Sequence, residues 1–259
     1  MSSSLPEKSR RFSDFTFVEI RERAQQGWLA VIPTGCTEQQ GPHLPVDFDT
    51  WFAEMLMVAA AEKAAQDHAI QSLVLPAMPF GPTPEHRNFG SGFIDVPVAL
   101  HDALVEAILT SLAAQGFRRM LVWRGCGGHA LGGVIARFNQ IYQGKAQVFL
   151  PPHPFHAIWC RLADPAIPGG HADSFTTSIS LYFRPESVRQ DQISNPHSTE
   201  VDWSDPHLDF TRSTTTGVIG DPTHASADLG KRLWEAAVEE TSLTLKVAAS
   251  AESPACFLL

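Results

Sequence analysis

The stretch MLVWRGCGGH, residues 120–129, decides the fold: a short apolar run ends in a glycine-rich polar turn, and helical periodicity resumes beyond it to about Tyr142. Such a run, bounded by turn residues, reads as a strand buried on both faces. Strands of that kind belong to parallel sheets wrapped by helices. The pattern repeats upstream. A helix over 18–26 ends near Gly27 and is followed by the strand WLAVIP (28–33), the polar loop TGCTEQQGPHLPVDFD (34–49) and a helix from about Thr50 to Asp67. Asp49 or Thr50 is the expected N-cap of that helix. Next come a strand SLVLPAM (72–78), a loop GPTPEHRNFGSG (81–92), and a helix over 97–115 whose stripe is Leu100, Leu104, Ile108 and Leu112, closed by Gln115-Gly116. Downstream lie a strand QVFLP (147–151), a Pro- and His-rich stretch (151–171), a helix over roughly 173–183, a loop-rich region (191–223) and a final amphipathic helix over 225–248.

This alternation predicts one α/β domain over 1–259, a three-layer, mostly parallel sheet covered by helices on both faces. Residues 1–12 are polar and expected to be mobile until packing begins near Phe12 and Phe15. A chain of 259 residues buries a substantial core without disulfides. The formal net charge of −9 and the lack of a Lys/Arg cluster argue against a nucleic-acid partner. No run of 18 apolar residues suggests a membrane span, and the first fifteen residues lack the apolar core of a secretory signal. The scattered Cys36, Cys126, Cys160 and Cys256 do not form a disulfide framework, so a cytoplasmic location is expected.

In doubly wound sheets, ligands bind beyond the carboxyl ends of the strands. The loops 34–49, 81–92 and 124–129 meet that description, and there a resemblance emerges. TEQQGPHLPVDFDT (37–50) resembles the signature of the creatininase family; GPTPEH (81–86), GFRRMLVWRGCGGH (116–129), HADSFTTS (171–178) and GVIGDPTHASADLGKRLWEAAV (217–238) are similar to its later blocks, in the same order. The resemblance implies a hexameric amidohydrolase with a two-metal site, hydrolysing C–N bonds in small or cyclic amides.

The ligand positions implied by that resemblance are depleted. Glu38 and Asp49 match the family's carboxylates. Gln40 stands in place of a His, Cys126 in place of another, and Ser174 in place of a Glu; Gly128 removes a further carboxylate. Glu38, Asp49 and Cys126, with Gln40 beside them, are therefore the expected ligands of a single zinc or manganese ion, and a metal-free site is the other possibility. Asp173 could add a carboxylate.

Cys126, between glycines after a strand, also fits a nucleophile at a strand–turn–helix elbow, with His171, His43 and His129 as candidate bases. His86, Arg124 and Ser174 are expected to face substrate; Phe155 and Trp159 are candidates to cover a flat substrate, with core packing the more common fate of such residues. Arg124 is a candidate to neutralise Glu38 and Asp49 in place of a metal. Cys36 is expected to pack under its loop. A binding or assembly subunit that keeps the fold without the chemistry is the remaining alternative.

Overall fold

The computed structural model describes residues 9–250. Four parallel strands, β1 (Leu29–Thr34), β2 (Ser72–Val74), β3 (Arg119–Arg124) and β4 (Gln147–Phe149), lie in the order β2-β1-β3-β4. Ala30 pairs with Met120 and Thr34 with Arg124, so β1 and β3 end side by side at the centre of the sheet. The helices are α1 (Phe17–Gln25), α2 (Phe48–His68), α3 (Val98–Ala114), α4 (Gly132–Ile141), α5 (Phe155–Leu162), α6 (Ser174–Phe183) and α7 (Ala227–Ser250).

Alternation along each strand sends side chains to two separate cores. Leu29, Val31, Leu121, Trp123 and Phe149 pack with α2, α5, α6 and α7; Ala30, Ile32, Met120, Val122 and Val148 pack with α1, α3 and α4. All six residues of β1 are buried, as a strand covered on both faces must be. Each fully buried Leu or Ile contributes about 1.5–3 kcal/mol of transfer free energy. The expected layered α/β architecture is therefore present.

Several boundaries differ from expectation for identifiable reasons. α2 begins at Phe48 with Asp47, not Asp49 or Thr50, as its N-cap. Asp49 lies in the first turn, where its carboxylate accepts from the Cys36 thiol, while Asp47 pairs with Arg184. β2 is only three residues long. The chain keeps bonding to β1 through Leu75 and Met78, but Pro76 has no N–H to offer and interrupts the ladder. The buried face of α3 is His101, Val105, Leu109 and Leu112, whereas Leu100 and Leu104 are exposed. The loop 81–92 contains a 3-10 helix, Pro84–Phe89, and the stretch 151–171 contains α5. Order begins before Phe12: Arg10 is buried, donates to Gln71 at 2.6 Å and lies over the Trp28 ring. Residues 1–8 and Cys256 lie outside the described residues.

Candidate functional site

The ends of β1 and β3 are clamped together by backbone. The Gly125 N–H donates to the Thr34 carbonyl at 2.7 Å. A Cβ on Gly125 would lie 2.1 Å from that oxygen, so only glycine allows the approach. The clamp sets Cys126 beside the loop after β1. Thr50 Oγ1 donates to the Cys36 carbonyl at 3.0 Å and ties the start of α2 to the same loop. Four side chains from three elements converge as a result. Cys36 Sγ lies 3.0 Å from Glu38 Oε2 and 3.0 Å from Asp49 Oδ2, and Cys126 Sγ lies 3.5 Å from Glu38 Oε2. Gln40 Nε2 donates to Glu38 Oε1 at 3.4 Å.

Burial dominates the electrostatics. It lifts the Glu38 carboxyl to about 7, and lifts Asp49 well above the carboxylate range with the Glu38 charge adding to it. The Cys36 thiol stands 3.0 Å from both carboxyls, and two acids held this close resist ionising together. The hydrogen bond with Cys36 favours a Cys126 thiolate, but burial and the surrounding carboxylates outweigh it and hold the thiol at about 12. Burial also raises Cys36 well above its ordinary value.

Behind Glu38 stand two histidines whose protonation is set by Gln39. Its Nε2 donates to the Gly217 carbonyl at 3.1 Å and to His86 Nδ1 at 3.0 Å, while its Oε1 accepts from the Gly41 N–H at 2.9 Å. The two backbone contacts fix which end of the amide is which. His86 Nδ1 is therefore an acceptor and its proton sits on Nε2, 3.3 Å from Glu38 Oε2 but off line for a hydrogen bond. His171 Nε2 donates to the Gln39 carbonyl at 2.6 Å, which leaves Nδ1 as a lone pair 3.4 Å from Glu38 Oε1. Burial lowers His171 to about 3, so it is neutral at pH 7. A lone pair facing a carboxylate oxygen calls for a proton or a cation between them. Gln39 gave no signal in the sequence beyond its place next to Gln40. Glu85 was missed as well: its Oε1 comes within 3.0 Å of a Cβ built on Gly128 and so occupies the space opened by that glycine.

Part of the cluster, Glu38, Gln40 and Asp49, lines a cavity of about 330 Å³. Glu38, Gln40, Asp49 and His171 give it a polar floor; Phe48, Phe52, Phe155, Trp159 and Phe175 give it an aromatic wall. Asp173 lines it too, with Oδ1 accepting from the Thr176 N–H as the α6 cap. The other expected residues point elsewhere. His43 Nε2 is 2.8 Å from Thr177 Oγ1. Ser174 donates to the Asp221 carbonyl at 2.7 Å. His129 stacks near His101 and its Nδ1 lies 3.5 Å from Thr34 Oγ1, although its ring also comes within 4.8 Å of the two thiols. The Arg124 charge acts on His129 and His153, and among the described residues it forms no ion pair with Glu38 or Asp49. The strand–turn–helix elbow expected at Cys126 does not form, because α4 starts only at Gly132; a helix N-terminus therefore does not activate the thiol.

Three donor groups here lie close enough for a divalent cation: Cys36, Glu38, Asp49 and Cys126; Glu38, His86 and His171; and Cys36, Cys126 and His129. Thiolate, carboxylate and imidazole are zinc ligands. The first group fits; in the second, His86 presents its N–H to Glu38, so only Glu38 and His171 offer lone pairs.

Comparison with known proteins agrees with this chemistry. A profile of the creatininase family, creatinine amidohydrolase, matches residues 13–245. The chain belongs to the creatininase family. The mycofactocin precursor peptide peptidase of Mycobacterium tuberculosis is 32% identical over 219 residues, 81% of each chain. Among solved structures, a creatinine amidohydrolase (creatininase) superposes with a TM-score of 0.82 at 21% identity, covering 95% of this chain and 100% of its own. A manganese form of creatininase gives 0.82 at 20% identity over 94% and 100%. This chain is accordingly a creatininase-family hydrolase, an amidohydrolase by descent, and it carries a potential metal-binding cluster at the end of its sheet.

Proposed function

We propose that this creatininase-family protein hydrolyses a C–N bond in a small or cyclic amide, using one divalent metal, zinc or manganese, held by Glu38, Asp49 and Cys126. The observation that carries this reading is that Glu38 and Asp49 line an aromatic-walled cavity with the buried thiols of Cys36 and Cys126 beside them. No Lys or Arg among the described residues pairs with either carboxyl, so a cation is the natural counter-charge. A cavity of about 330 Å³ sits at the small end of ligand sites and suits a ring or a single residue.

When bound, the metal supplies Lewis acidity toward the amide carbonyl and acidifies a water. Glu38 and Asp49 hold the negative charge that retains it. His171 Nδ1, freed by the Nε2–H bond to the Gln39 carbonyl, would take the proton given up by the attacking water and return it to the leaving nitrogen as the C–N bond breaks. Gln40 Oε1, buried without a partner, accepts an amide N–H of the substrate. Phe48, Phe155 and Trp159 lie against the flat face of the ring and exclude water.

The test is elemental analysis of the purified protein followed by assay on cyclic amides, linear amides and short peptides, before and after chelation. Expected are one metal per chain, turnover of the cyclic or small amides, loss on chelation and recovery with zinc or manganese. Preferred cleavage of peptides, as the name of the mycobacterial relative suggests for that protein, would overturn the substrate class. Full turnover in metal-free protein would overturn the metal.

Two broader properties belong to the same proposal. Val98, Leu100 and Leu104 on α3 and Ile141 on α4 are exposed, which supports a homo-oligomer, in this family's manner a hexamer; a monomeric mass by light scattering would refute it. Cys36 and Cys126 are free, buried and close together, a pairing suited to the reducing cytoplasm. No helix among the described residues is long and apolar enough to cross a membrane.

A further inference from the structure

We infer that Cys36 is itself a metal ligand, and that with Cys126, Glu38 and Asp49 it makes a two-sulfur, two-oxygen site selective for zinc over manganese. The inference rests on the metal-dependent reading above and goes beyond it, because a thiol from the β1 loop is not among the ligands that the site positions suggest.

The argument is geometric. Cys36 Sγ lies 3.0 Å from an oxygen of each carboxylate, and a single S–H can serve only one of them. The Cys126 thiol approaches the same Glu38 oxygen at 3.5 Å. One donor atom from each of the four residues lies within 4.8 Å of every other. A zinc tetrahedron with Zn–S near about 2.3 Å and Zn–O near about 2.0 Å has S–O edges of roughly 3.5 Å. The observed contacts of 3.0, 3.0 and 3.5 Å lie at or slightly below that edge, so small rotations of the side chains suffice. Cys36 is fully buried, and its loop is pinned by the Thr50 hydroxyl, which presents the sulfur to the cluster rather than to solvent.

Donor chemistry then sets the metal. Thiolates favour zinc and similar thiophilic ions, whereas manganese prefers oxygen and water. Where imidazole and carboxylate donors have been lost, two sulfurs restore a full tetrahedral set. Substrate reaches such an ion as a fifth ligand, an expansion zinc accepts in catalysis, from the cavity side where Gln40 and His171 stand.

The experiment uses the full chain carrying Cys160→Ser and Cys256→Ser, so that only the two site thiols remain. The reduced, chelator-treated protein is titrated with cobalt(II). Expected is uptake of one ion with intense near-ultraviolet sulfur-to-cobalt absorption, of which Cys36→Ser removes about half. Loss of an outer-shell partner alone weakens metal affinity about tenfold or more, so Cys36→Ser should weaken zinc by at least that factor while leaving manganese affinity little changed. Should Cys36→Ser not fold, X-ray absorption of the zinc-loaded parent decides: two sulfur neighbours are expected, and one or none refutes the assignment. Cobalt uptake with absorption undiminished in Cys36→Ser overturns the role of Cys36 and leaves the metal reading intact. No uptake by the reduced parent overturns both.

Discussion

Glu38→Gln is the perturbation with the most calculable consequence. In the metal-free protein, burial raises the Glu38 carboxyl from an ordinary value of 4.5 to about 7. The folded state thus binds this proton more tightly than the unfolded chain does. Its contribution is fully present below pH 4.5 and is lost as pH rises through 7. At about 1.4 kcal/mol for each pH unit of displacement, the loss comes to about 3 kcal/mol between pH 4.5 and pH 8, a large part of the stability of a typical domain. Asp49, raised in the same direction by burial and by Glu38, steepens the slope. Gln at position 38 is nearly isosteric and does not ionise. It removes the Glu38 part of the slope and relieves Asp49. Urea unfolding in the presence of chelator, at pH 5 and pH 8, should show Glu38→Gln closing most of the pH-dependent gap. The same variant should lose metal affinity and activity, so a gain in metal-free stability accompanies a loss of function. Parallel pH dependence in the two proteins would refute the claim that the cluster stores unpaired acid.

Three further outcomes follow from the surroundings of the site. Thr177→Val strips His43 Nε2 of its hydroxyl partner while His43 Nδ1 is already without one; chemical denaturation should show a loss of about 1–3 kcal/mol. Gly217→Ala places a methyl 1.9 Å from Gln39 Oε1 at a backbone φ of +85°. That displaces the amide that sets the His86 and His171 tautomers, so kcat should fall at least about tenfold with the fold retained by circular dichroism; unchanged kcat would remove Gln39 from the mechanism. Phe155→Ala opens the aromatic wall of the cavity and should raise KM for a cyclic amide more than it lowers kcat, measurable by steady-state kinetics.

By itself the sequence determined the layered fold, the three loops at the strand ends and the pair Glu38 and Asp49, because these depend on local signals: apolar runs, glycine turns and short motifs read along one segment. It did not determine which face of α3 packs, since that helix is apolar on more than one side and the polar His101 lies on the buried one. Nor did it determine the length of β2, where Pro76 stops the ladder while the chain stays alongside its neighbour. At the site, the roles of Cys36, Gln39 and Glu85 were out of reach. Each depends on a group brought from a distant segment: Cys126 to Cys36, the Gly217 carbonyl and the histidines to Gln39, the bare backbone of Gly128 to Glu85. The same holds for Arg124, which sits beside the cluster in sequence yet directs its charge toward His129 and His153. A thiol, an amide and a carboxylate take their chemistry from what lies within a few ångströms, and only the packing of β1 against β3 brings those neighbours together.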